Sequence, residues 1–367
     1  MAFNDFDRRC MARALELAAL GMNTTDPNPR VGSVITRGSK VIGEGWHERA
    51  GHAHAEVIAL VMAGDATRGA TVYVTLEPCA HFGRTPPCAD ALVKAGVGRV
   101  VCAMADPNPS VSGTGIERLK AAGITVESGL MEAEARALNP GFIRRMERGL
   151  PWVRIKLGAS IDGRTALANG ASRWITSEES RADVQNWRAR SSVIVTGSGT
   201  VLEDNPRLDV RAGSEAQDLR QPLRVILDTE LRTPPQARIL DAPGRALILT
   251  GPDSGDRGAA FETRGVSIET MPRGEEGLDL RAVLNRLTEL EANEIWVESG
   301  PRLAGSFVRE GLADELVLYF APSILGSSAL GMFELPSLTS LDAAVKFEFR
   351  DVRRIGPDLR VVAARKD

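Results

Sequence analysis

The first 150 residues carry apolar positions that switch repeatedly between helical spacing and strand-like alternation. Turn residues such as Gly21, Gly38 and Gly96 separate these segments. The pattern predicts helices over 6–20, 54–62, 88–95, 115–122 and 132–148, and strands over 31–36, 41–46, 71–76, 100–104 and 125–127. This order predicts a sheet covered by helices, and the breaker-rich segment at 148–151 predicts a domain boundary after residue 150.

A second α/β pattern of apolar residues begins after residue 151. Strands are predicted over 153–159, 193–196, 224–227, 246–250, 294–298, 316–321, 346–350 and 359–364. A Thr-x-x-Glu capping box, Thr176 to Glu179, predicts the start of one helix, and a second helix is predicted near 280–290. Polar stretches at 211–222 and 251–258 predict loops. The second domain is therefore expected to span 151–367.

The composition is that of an ordinary globular protein. The 367 residues fit two domains at about 100–200 residues each, with 43% hydrophobic and 25% charged residues. The net charge of −3 gives no general attraction to nucleic acid or to an anionic membrane. No apolar run approaches the roughly 18 residues that span a bilayer, and Asp5 and Asp7 are unlike a signal peptide. A cytoplasmic protein is therefore expected.

Cysteine and histidine are concentrated in the first domain. The four cysteines lie within the first 102 residues, and the four histidines lie between His47 and His81. A cytosolic protein keeps its thiols reduced, so this concentration indicates metal binding or catalysis rather than disulfides. Cys10 and Cys102 fall in a predicted helix and a predicted strand and are expected in the core. The second domain must work without a cysteine nucleophile or a histidine base.

One group of these residues has the chemistry of a catalytic zinc site. His52-Ala53-His54-Ala55-Glu56 begins a predicted helix, Cys79 follows a predicted strand, and Cys88 opens the next helix. One histidine and two thiolates suit Zn²⁺, and three protein ligands leave the fourth position for water. A carboxylate such as Glu56 can then move protons, as in the His-x-Glu and Pro-Cys signature of zinc deaminases. The eight residues between the cysteines depart from the Cys-x-x-Cys form of that signature.

Two questions about the ligands stay open on the residues alone. His52 and His54 point to different faces if both are helical, so only one of them is expected to bind metal. A closed structural zinc site would need His52 or His81 as a fourth ligand, and it would leave Glu56 without a role.

Two glycine-containing runs in the second domain follow predicted strands. The first, Gly197-Ser198-Gly199-Thr200, has Leu202 where a dinucleotide fingerprint needs a third glycine, and an ordinary strand-end turn explains it equally well. The second, Gly300-Pro301-Arg302-Leu303-Ala304-Gly305-Ser306, has serine where a P-loop needs lysine. The runs therefore disfavour ATP, although a phosphate at the second helix N-terminus remains allowed.

Four runs in the first domain form a distinctive set. They are Thr25-Asp26-Pro27-Asn28-Pro29-Arg30-Val31-Gly32, Gly45-Trp46-His47, His52-Ala53-His54-Ala55-Glu56 and Pro78-Cys79-Ala80-His81-Phe82-Gly83-Arg84-Thr85-Pro86-Pro87-Cys88. This set closely resembles the deaminase half of the RibD family of bifunctional riboflavin biosynthesis enzymes, and the unusual cysteine spacing is characteristic of that family. The resemblance implies a cytidine-deaminase-like α/β/α domain.

The same resemblance implies roles for the residues of this domain. His54, Cys79 and Cys88 would bind one zinc ion per chain, and Glu56 would be the catalytic proton shuttle. The substrate would be 2,5-diamino-6-ribosylamino-4(3H)-pyrimidinone 5′-phosphate, which loses its C2 amine. Further candidate substrate contacts are Asn28, His47, His81 and Arg84, although a turn role would also explain Asn28.

Four runs in the second domain resemble the reductase domain of the same family. They are Lys156-Leu157-Gly158-Ala159-Ser160-Ile161-Asp162-Gly163-Arg164, Ser172-Arg173-Trp174-Ile175-Thr176, Asp204-Asn205-Pro206-Arg207-Leu208 and Glu298-Ser299-Gly300-Pro301. The resemblance implies a dihydrofolate-reductase-like α/β domain that uses NADPH. Together the two resemblances cover nearly the whole chain.

Carried over by position, the reductase resemblance implies two sets of binding residues. The NADPH set is Gly158, Trp174, Thr200, Asp204, Gly300, Pro301, Arg302, Leu303, Ala304, Gly305 and Ser306. The substrate set is Ser172, Arg188, Leu208, Arg211 and Glu298. Hydride added to C1′ of the opened ribosylamine leaves an imine nitrogen that needs a proton, and Lys156 or Asp204 is the candidate source.

The resemblance thus implies zinc-dependent deamination followed by NADPH-dependent reduction to 5-amino-6-(5-phosphoribitylamino)uracil. The alternative is a zinc-dependent nucleic-acid base deaminase with an accessory nucleotide-binding domain, which the negative net charge and the six lysines disfavour. A non-catalytic, zinc-containing nucleotide-binding regulator is a third possibility. We expect a small-molecule pyrimidine ribotide as the partner, without nucleic acid or membrane, in a homodimer.

Overall fold

The computed structural model describes residues 3–82, 86–211, 220–253, 258–262 and 266–366. The chain divides into two compact units, Met1–Leu150 and Pro151–Asp367. Arg84 and the centres of the two polar connections, 212–219 and 254–257, lie outside the described residues. None of the described helices has the length and apolar character needed to cross a membrane.

The described residues of unit 1 form a five-stranded sheet with helices on both faces. The helices are α1 (Asp5–Ala19), α2 (Ala55–Ala63), α3 (Cys88–Ala95), α4 (Thr114–Ala121), α5 (Glu132–Leu138) and α6 (Pro140–Arg148); a short 3₁₀ helix spans Gly64–Thr67. The strands are β1 (Gly32–Arg37), β2 (Lys40–Trp46), β3 (Thr71–Val74), β4 (Arg99–Cys102) and β5 (Thr125–Ser128). The order is β2-β1-β3-β4-β5, with β1 antiparallel to both neighbours and β3, β4 and β5 parallel.

Each face of this sheet has its own hydrophobic core. On one face Met11 and Ala14 of α1 share a buried cluster with Tyr73 of β3. On the other face Leu92 of α3 shares a cluster with Val72, the neighbour of Tyr73 along the same strand. Adjacent strand residues point to opposite faces, so β3 supplies both cores. The predicted α/β/α class of the first domain is confirmed.

A glycine on β2 allows the sheet to hold the start of α2 at very short range. A Cβ atom added to Gly45 would lie 2.4 Å from the Ala55 carbonyl oxygen and 2.6 Å from the Ala59 nitrogen. No side chain fits in that space, so the α2 backbone rests directly on β2. This contact fixes the position of the first turn of α2 relative to the sheet, and with it the position of Glu56.

The single helix predicted over 132–148 is wrong, because the structure divides it into α5 and α6 at Asn139. Pro140 is the cause, since proline has no N–H to continue the ladder of α5 and suits the first turn of a new helix. The Asn139 side chain is used instead by the neighbouring loop. It accepts a hydrogen bond from the Arg30 nitrogen (2.8 Å) and donates one to the Arg30 carbonyl oxygen (2.9 Å).

The described residues of unit 2 form eleven strands, nine of which belong to one sheet. The strands are β6 (Trp152–Ser160), β7 (Arg164–Ala166), β8 (Val193–Gly197), β9 (Leu223–Leu227), β10 (Ala246–Thr250), β11 (Ser267–Thr270), β12 (Glu294–Glu298), β13 (Glu315–Ala321), β14 (Leu330–Gly331), β15 (Phe347–Ile355) and β16 (Asp358–Arg365). The helices are α7 (Glu178–Arg190), α8 (Ser198–Asp204), α9 (Arg238–Asp241), α10 (Ala259–Glu262), α11 (Leu280–Glu289) and α12 (Pro301–Arg309), and a 3₁₀ helix spans Leu341–Ala343. The short strands β7, β11 and β14 are not among those that the sequence pattern predicts.

The order of the large sheet is β11-β10-β9-β8-β12-β6-β13-β16-β15, and β7 pairs separately with β14. The run from β11 to β13 is parallel, whereas β16 and β15 are antiparallel to their neighbours. Registers in the centre pair Glu298 of β12 with Lys156 of β6, and Val297 of β12 with Val195 of β8. The carboxyl ends of β6, β12 and β8 therefore lie at one edge, where α/β proteins bind ligands.

The predicted capping box at the start of α7 is wrong. The N-cap is Ser177, whose side chain accepts a hydrogen bond from the Ser180 nitrogen, and not Thr176. The reason is a contact distant in sequence. The buried Asp358 carboxylate of β16 accepts hydrogen bonds from the Ser177 nitrogen (2.7 Å) and the Ser180 hydroxyl (2.6 Å). This anchor moves the helix start one residue beyond the position that the local pattern predicts.

Candidate active sites

Three side chains of unit 1 converge as metal ligands. His54 is the N-cap of α2, Cys79 lies in the loop after β3, and Cys88 is the first residue of α3. The His54 Nδ1 atom lies 3.2 Å from the Cys88 Sγ atom and 3.6 Å from the Cys79 Sγ atom. All three ligand atoms lie within 4.8 Å of one another. One imidazole nitrogen and two sulfurs in this arrangement fit tetrahedral zinc with one open position.

Hydrogen bonds at the N-terminus of α3 hold Cys79 and Cys88 in position. The Cys88 nitrogen donates to the Cys79 Sγ atom (3.3 Å), and the Ala89 nitrogen donates to the Cys79 carbonyl oxygen (3.1 Å). Hydrogen bonding from Cys88 and from His54 holds the pKa of the Cys79 thiol at about 4, although burial opposes ionisation. Metal binds the thiolate form of cysteine, so this hydrogen bonding favours the protonation state of Cys79 that can act as a ligand.

Glu56 lies beside the ligands in the first turn of α2 and is only 3% exposed. Burial raises the pKa of this carboxyl group to about 7, with the nearby His54 acting in the opposite direction. A group that ionises near neutral pH can both accept and return a proton. The position and the pKa of Glu56 therefore suit the proton shuttle that the sequence predicts.

The structure separates His54 from the other candidate histidine ligands. His52 and His81 are exposed, and within the described residues no further Cys, His, Asp or Glu joins the three-ligand group. A closed four-ligand structural site is therefore not formed in the described part of the chain. Cys10 and Cys102 are buried in the two cores of unit 1, as expected.

His47 and Asn28 form a polar pair next to the ligand histidine. Burial lowers the pKa of His47, which favours the neutral ring. Its Nδ1–H then donates to the Ala53 carbonyl oxygen (3.1 Å), and its Nε2 atom accepts from the Asn28 amide (3.0 Å). The His47 ring meets the His54 ring edge-on with centroids 5.2 Å apart. Asn28 and His47 thus lie at the metal site, and substrate contacts by these two residues, His81 and Arg84 stay predictions.

Glu77 is a functional candidate that the sequence pattern alone does not reveal. Its buried carboxylate accepts four backbone hydrogen bonds, from the nitrogens of Asp106 (3.0 Å), Gly113 (3.0 Å), Gly115 (2.9 Å) and Ile116 (3.1 Å). It stands two residues before Cys79, so it ties the ligand loop to the segment that leads into α4. An acidic residue directly after an apolar strand was the available signal, but its partners lie about thirty to forty residues further along the chain.

In unit 2, the predicted cofactor residues lie around the carboxyl edge of the central strands. Gly158 is on β6, Thr200 and Asp204 are on α8, and 300–306 forms the start of α12. A Cβ atom added to Gly300 would meet no other atom within 4 Å, which leaves open space at the N-terminus of α12. Gly305 is different, because an added Cβ atom would lie 2.0 Å from the Glu334 carbonyl oxygen. The edge therefore fits a dinucleotide whose phosphates approach bare backbone near Gly300.

Trp174 offers an aromatic surface near this edge. Its side chain is 70% exposed in the loop before α7, and the Arg181 guanidinium lies 4.5 Å from the ring centroid. Arg173 forms an ion pair with Asp204 at 3.2 Å, which joins this loop to the end of α8. The Arg173 guanidinium also lies 5.8 Å from the Trp174 ring centroid, so Arg173 contacts two of the predicted cofactor residues, Trp174 and Asp204.

The predicted substrate residues Arg188 and Glu298 form a two-pronged ion pair that is largely shielded from solvent. The Arg188 Nε and Nη2 atoms donate to the Glu298 oxygens at 2.6 and 3.0 Å, and Arg188 Nη1 donates to the Asp209 carbonyl oxygen at 3.0 Å. The Trp296 indole donates to the same carboxylate at 2.8 Å. Burial opposes ionisation of Glu298, but Arg188 outweighs it and lowers the pKa to about 2. Glu298 is thus held as a fixed negative charge.

The other predicted substrate residues of unit 2 are less tightly held. Ser172 is half-buried in the loop before α7, and Leu208 is buried with a left-handed backbone at φ 50°. Arg211 is exposed, and its Nε atom lies 3.5 Å from an Asp209 oxygen. Lys156 is half-buried next to Glu298 and Arg188, and its burial lowers the pKa of its ammonium group.

Family comparisons agree with the division into two units. Residues 4–104 match the cytidine and deoxycytidylate deaminase zinc-binding region, and residues 151–361 match the RibD C-terminal domain. The riboflavin biosynthesis protein RibD of Escherichia coli is 49% identical over 363 residues, covering 96% of this chain and 98% of that protein. RibD of Haemophilus influenzae is 41% identical over 375 residues, covering 98% of both.

Solved structures share the fold over nearly the whole chain. Acinetobacter baumannii RibD, form 1, is 42% identical with a TM-score of 0.92 and 99% coverage of both chains. A diaminohydroxyphosphoribosylaminopyrimidine deaminase/5-amino-6-(5-phosphoribosylamino)uracil reductase from Thermotoga maritima is 32% identical with a TM-score of 0.86, covering 98% of this chain and 99% of that one.

Fold and sites together define a zinc-binding deaminase joined to a reductase in one polypeptide. Within that class, the chain belongs to the RibD family, whose bifunctional deaminase and reductase act in riboflavin biosynthesis. Zinc and NADPH are the cofactors of its two domains. The predicted fold class, activity and cofactors are confirmed, and the nucleic-acid base deaminase is set aside.

Proposed function

We propose that unit 1 deaminates 2,5-diamino-6-ribosylamino-4(3H)-pyrimidinone 5′-phosphate and that unit 2 reduces the product. We assign the first reaction to 1–150 and the second to 151–367. The observation that carries the proposal is the convergence of His54, Cys79 and Cys88 beside the buried Glu56. Zinc, when bound to these three residues, supplies a Lewis acid that makes water more acidic.

In this proposal Glu56 moves the protons of the hydrolysis. Water replaces the C2 amine, which leaves as ammonia, so one proton of the water must pass to the departing nitrogen and the other to a ring nitrogen as the C2 carbonyl forms. Glu56 accepts the first of these protons and returns it, a task for which a pKa of about 7 is well suited. Asn28 uses its amide N–H on the neutral His47, so its amide oxygen can accept from an N–H group of the pyrimidine.

For the reductase step we propose that the opened ribosylamine lies between the cofactor edge and the Arg188–Glu298 pair. NADPH, when bound, supplies the hydride that reaches C1′. Between Lys156 and Asp204 we favour Lys156 as the proton source for the imine nitrogen, because burial lowers the pKa of its ammonium group and makes it a better acid. Asp204 is a poorer candidate, since its carboxylate pairs with Arg173.

We further propose that the protein acts in the cytoplasm as a homodimer on a small-molecule substrate, without nucleic acid. Cys79 and Cys88 must stay reduced to bind metal, and a reducing compartment provides this condition. The negative net charge gives no general attraction to a polyanion. The mass of the protein in solution tests the dimer directly.

A coupled assay tests the order of the two reactions. With zinc, NADPH and the diaminopyrimidine ribotide, we expect ammonia release to precede the loss of NADPH absorbance. With the deaminated 5-amino-6-(5-phosphoribosylamino)uracil, we expect NADPH oxidation without ammonia. NADPH oxidation on the diamino compound with no ammonia released would contradict the proposed order, and no turnover of either compound would contradict the proposed substrate.

A further inference from the structure

The segment 208–211 is tied to the helix that carries a predicted substrate residue. Arg188 Nη1 donates to the Asp209 carbonyl oxygen (3.0 Å), and the Gln185 side chain accepts from the Arg211 nitrogen (2.9 Å). Gln185 and Arg188 are three positions apart on α7, so they lie on the same side of that helix. The segment therefore runs along the side of α7 that presents Arg188.

The rest of the segment is anchored as well. Leu208 is buried in the core of unit 2. The Gln221 side chain accepts from the Val210 nitrogen and donates to the Val210 carbonyl oxygen, both at 2.9 Å. The backbone is thus fixed on both sides of Asp209, whose side chain is almost completely buried.

The Asp209 carboxylate lies between two arginine side chains. Its Oδ2 atom accepts from Arg207 Nε at 2.9 Å, and its Oδ1 atom lies 3.5 Å from Arg211 Nε. Both guanidinium groups therefore turn their Nε edge toward Asp209. In the part of the chain that the structure describes, Asp209 Oδ1 accepts no hydrogen bond and the Nη atoms of the two arginines donate none. Their Nη atoms are available to an anionic ligand.

The charges around Asp209 do not cancel. Burial opposes ionisation of Asp209, but the hydrogen bond from Arg207 and the charges of Arg207 and Arg211 outweigh it and lower the pKa. The buried Arg224 is a third positive group near this carboxylate. Its guanidinium donates instead to the carbonyl oxygens of Ile239 (3.0 Å), Ala242 (2.8 Å) and Gly244 (3.2 Å). One negative charge thus faces three positive groups, and the excess positive charge favours an anion.

We propose that Asp209 is a positioning residue of the reductase, which directs Arg207 and Arg211 toward the 5′-phosphate of the substrate, and that Arg207 is an additional phosphate contact. This inference rests on the reduction of 5-amino-6-(5-phosphoribosylamino)uracil proposed for unit 2. Arginine binds phosphate through two parallel N–H groups. Because Asp209 occupies the Nε edge, each guanidinium presents its two Nη atoms. A side chain that is already oriented also loses less conformational entropy when the ligand binds.

Steady-state kinetics of the full-length zinc protein with NADPH tests this assignment. The two substrates are 5-amino-6-(5-phosphoribosylamino)uracil and the same compound without its phosphate, 5-amino-6-ribosylaminouracil. In Asp209→Asn we expect the KM for the phosphorylated compound to rise about 10-fold. The kcat for this compound and the kcat/KM for the unphosphorylated one should not change, because only binding of the phosphate is weakened. A merely structural role would affect both compounds alike.

Arg207→Met is a second variant that leaves the buried carboxylate in place, and Arg207 itself is partly exposed. We expect the same selective rise in KM for the phosphorylated compound. The double variant Asp209→Asn/Arg207→Met should raise this KM by less than the product of the two single effects, because Asp209 acts partly through Arg207.

Asp351→Asn is the matched control, because Asp351 also accepts hydrogen bonds from two arginines, Arg353 and Arg360, at 2.8 Å, but lies on β15. We expect it to leave the KM of the phosphorylated compound unchanged. An unchanged KM in Arg207→Met, an equal loss for both compounds in Asp209→Asn, or fully multiplicative effects in the double variant would overturn the assignment. A wild-type protein that does not reduce the phosphorylated compound would instead contradict the proposed substrate.

Discussion

The two active sites are assembled in opposite ways. The zinc site uses side chains from a short part of the chain, 54–88, with His54, Glu56 and Cys88 at the start of a helix and Cys79 in a loop. The reductase edge uses residues from Gly158 to Ser306, and much of it consists of bare backbone at the ends of parallel strands. Chemistry therefore resides in a few reactive side chains in unit 1, whereas in unit 2 it resides in the positions of strands and in a buried ion pair.

This difference teaches where each site should be vulnerable. Unit 1 should lose its activity when a single side chain is changed, with little change in fold, because each ligand and the acid contribute only one side chain to the start of α2, the loop after β3 or the start of α3. Unit 2 should lose its activity together with stability, because the predicted substrate residues Arg188 and Glu298 also form an ion pair that is largely shielded from solvent. Substitutions in each unit test this difference.

The largest effect is expected from Cys88→Ser. It removes one thiolate from a three-ligand site, so zinc should be lost and deamination with it. Reduction of the deaminated substrate should continue. Metal analysis and the two activity assays measure these effects, and Cys10→Ser is the matched control because Cys10 is buried outside the group. Full zinc content in Cys88→Ser would contradict the ligand assignment, and His52→Ala should keep its zinc.

Glu56→Gln should separate chemistry from metal binding. The amide cannot shuttle protons, so kcat for deamination should fall about 10²- to 10⁴-fold, while zinc stays bound and NADPH oxidation of the deaminated compound continues. Ammonia release and metal content are measured on the same sample. Deamination near the wild-type rate would remove Glu56 from the mechanism. Loss of both activities with zinc retained would show that the two units are not functionally separate.

In unit 2 the matching experiment is Glu298→Gln, which leaves Arg188 buried without its counter-charge. Removing one partner of a buried pair costs about 3–5 kcal/mol, so this variant should lose both stability and reductase activity. The double variant Arg188→Met/Glu298→Leu should recover much of the stability without the activity. Denaturant unfolding measures the free energy of unfolding. Unchanged stability in Glu298→Gln would contradict the expected difference between the units.

The pH dependence of the same pair provides a control. Folding lowers the pKa of Glu298 from 4.5 to about 2, so its stabilising contribution is complete above the unfolded value and is lost as the pH falls through the folded one. The stability difference between wild type and Glu298→Gln should therefore be constant above pH 4.5 and shrink between 4.5 and about 2. A constant difference over that whole range would show that the charge of Glu298 does not produce the stabilisation.

The smallest effect is expected from Glu77→Gln. An amide presents one oxygen and one NH₂ group, so two of the four backbone N–H groups would lose their acceptor. Zinc should be retained, and kcat for deamination should fall about tenfold because the ligand loop shifts. Glu117→Gln, on the exposed side of α4, is the control. An unchanged kcat would limit Glu77 to a role in stability.

Local pattern was sufficient for several parts of the molecule. The helix Cys88–Ala95 begins and ends where predicted, because Pro87 and Gly96 mark its limits in the sequence itself. The residue types of the zinc site were also predictable, since few residue types bind zinc and they occur close together, but the choice of His54 over His52 came from the family resemblance. The start of α7 was not, because Asp358 that fixes it is 181 residues away from Ser177. The partners of Glu77 and of Arg188 likewise become neighbours only after the chain has folded.

The Glu77 anchor also has a consequence for ionic strength. A carboxylate held by four backbone dipoles inside the protein has no mobile counter-ion to exchange, so dissolved salt has little means of loosening the ligand loop. The Arg173–Asp204 ion pair at the reductase edge is open to solvent, so the same salt screens it. The two halves of this enzyme should thus respond differently to the same buffer: the turnover number of deamination stays level as salt rises, while the contact between the loop that carries Trp174 and the end of α8 weakens.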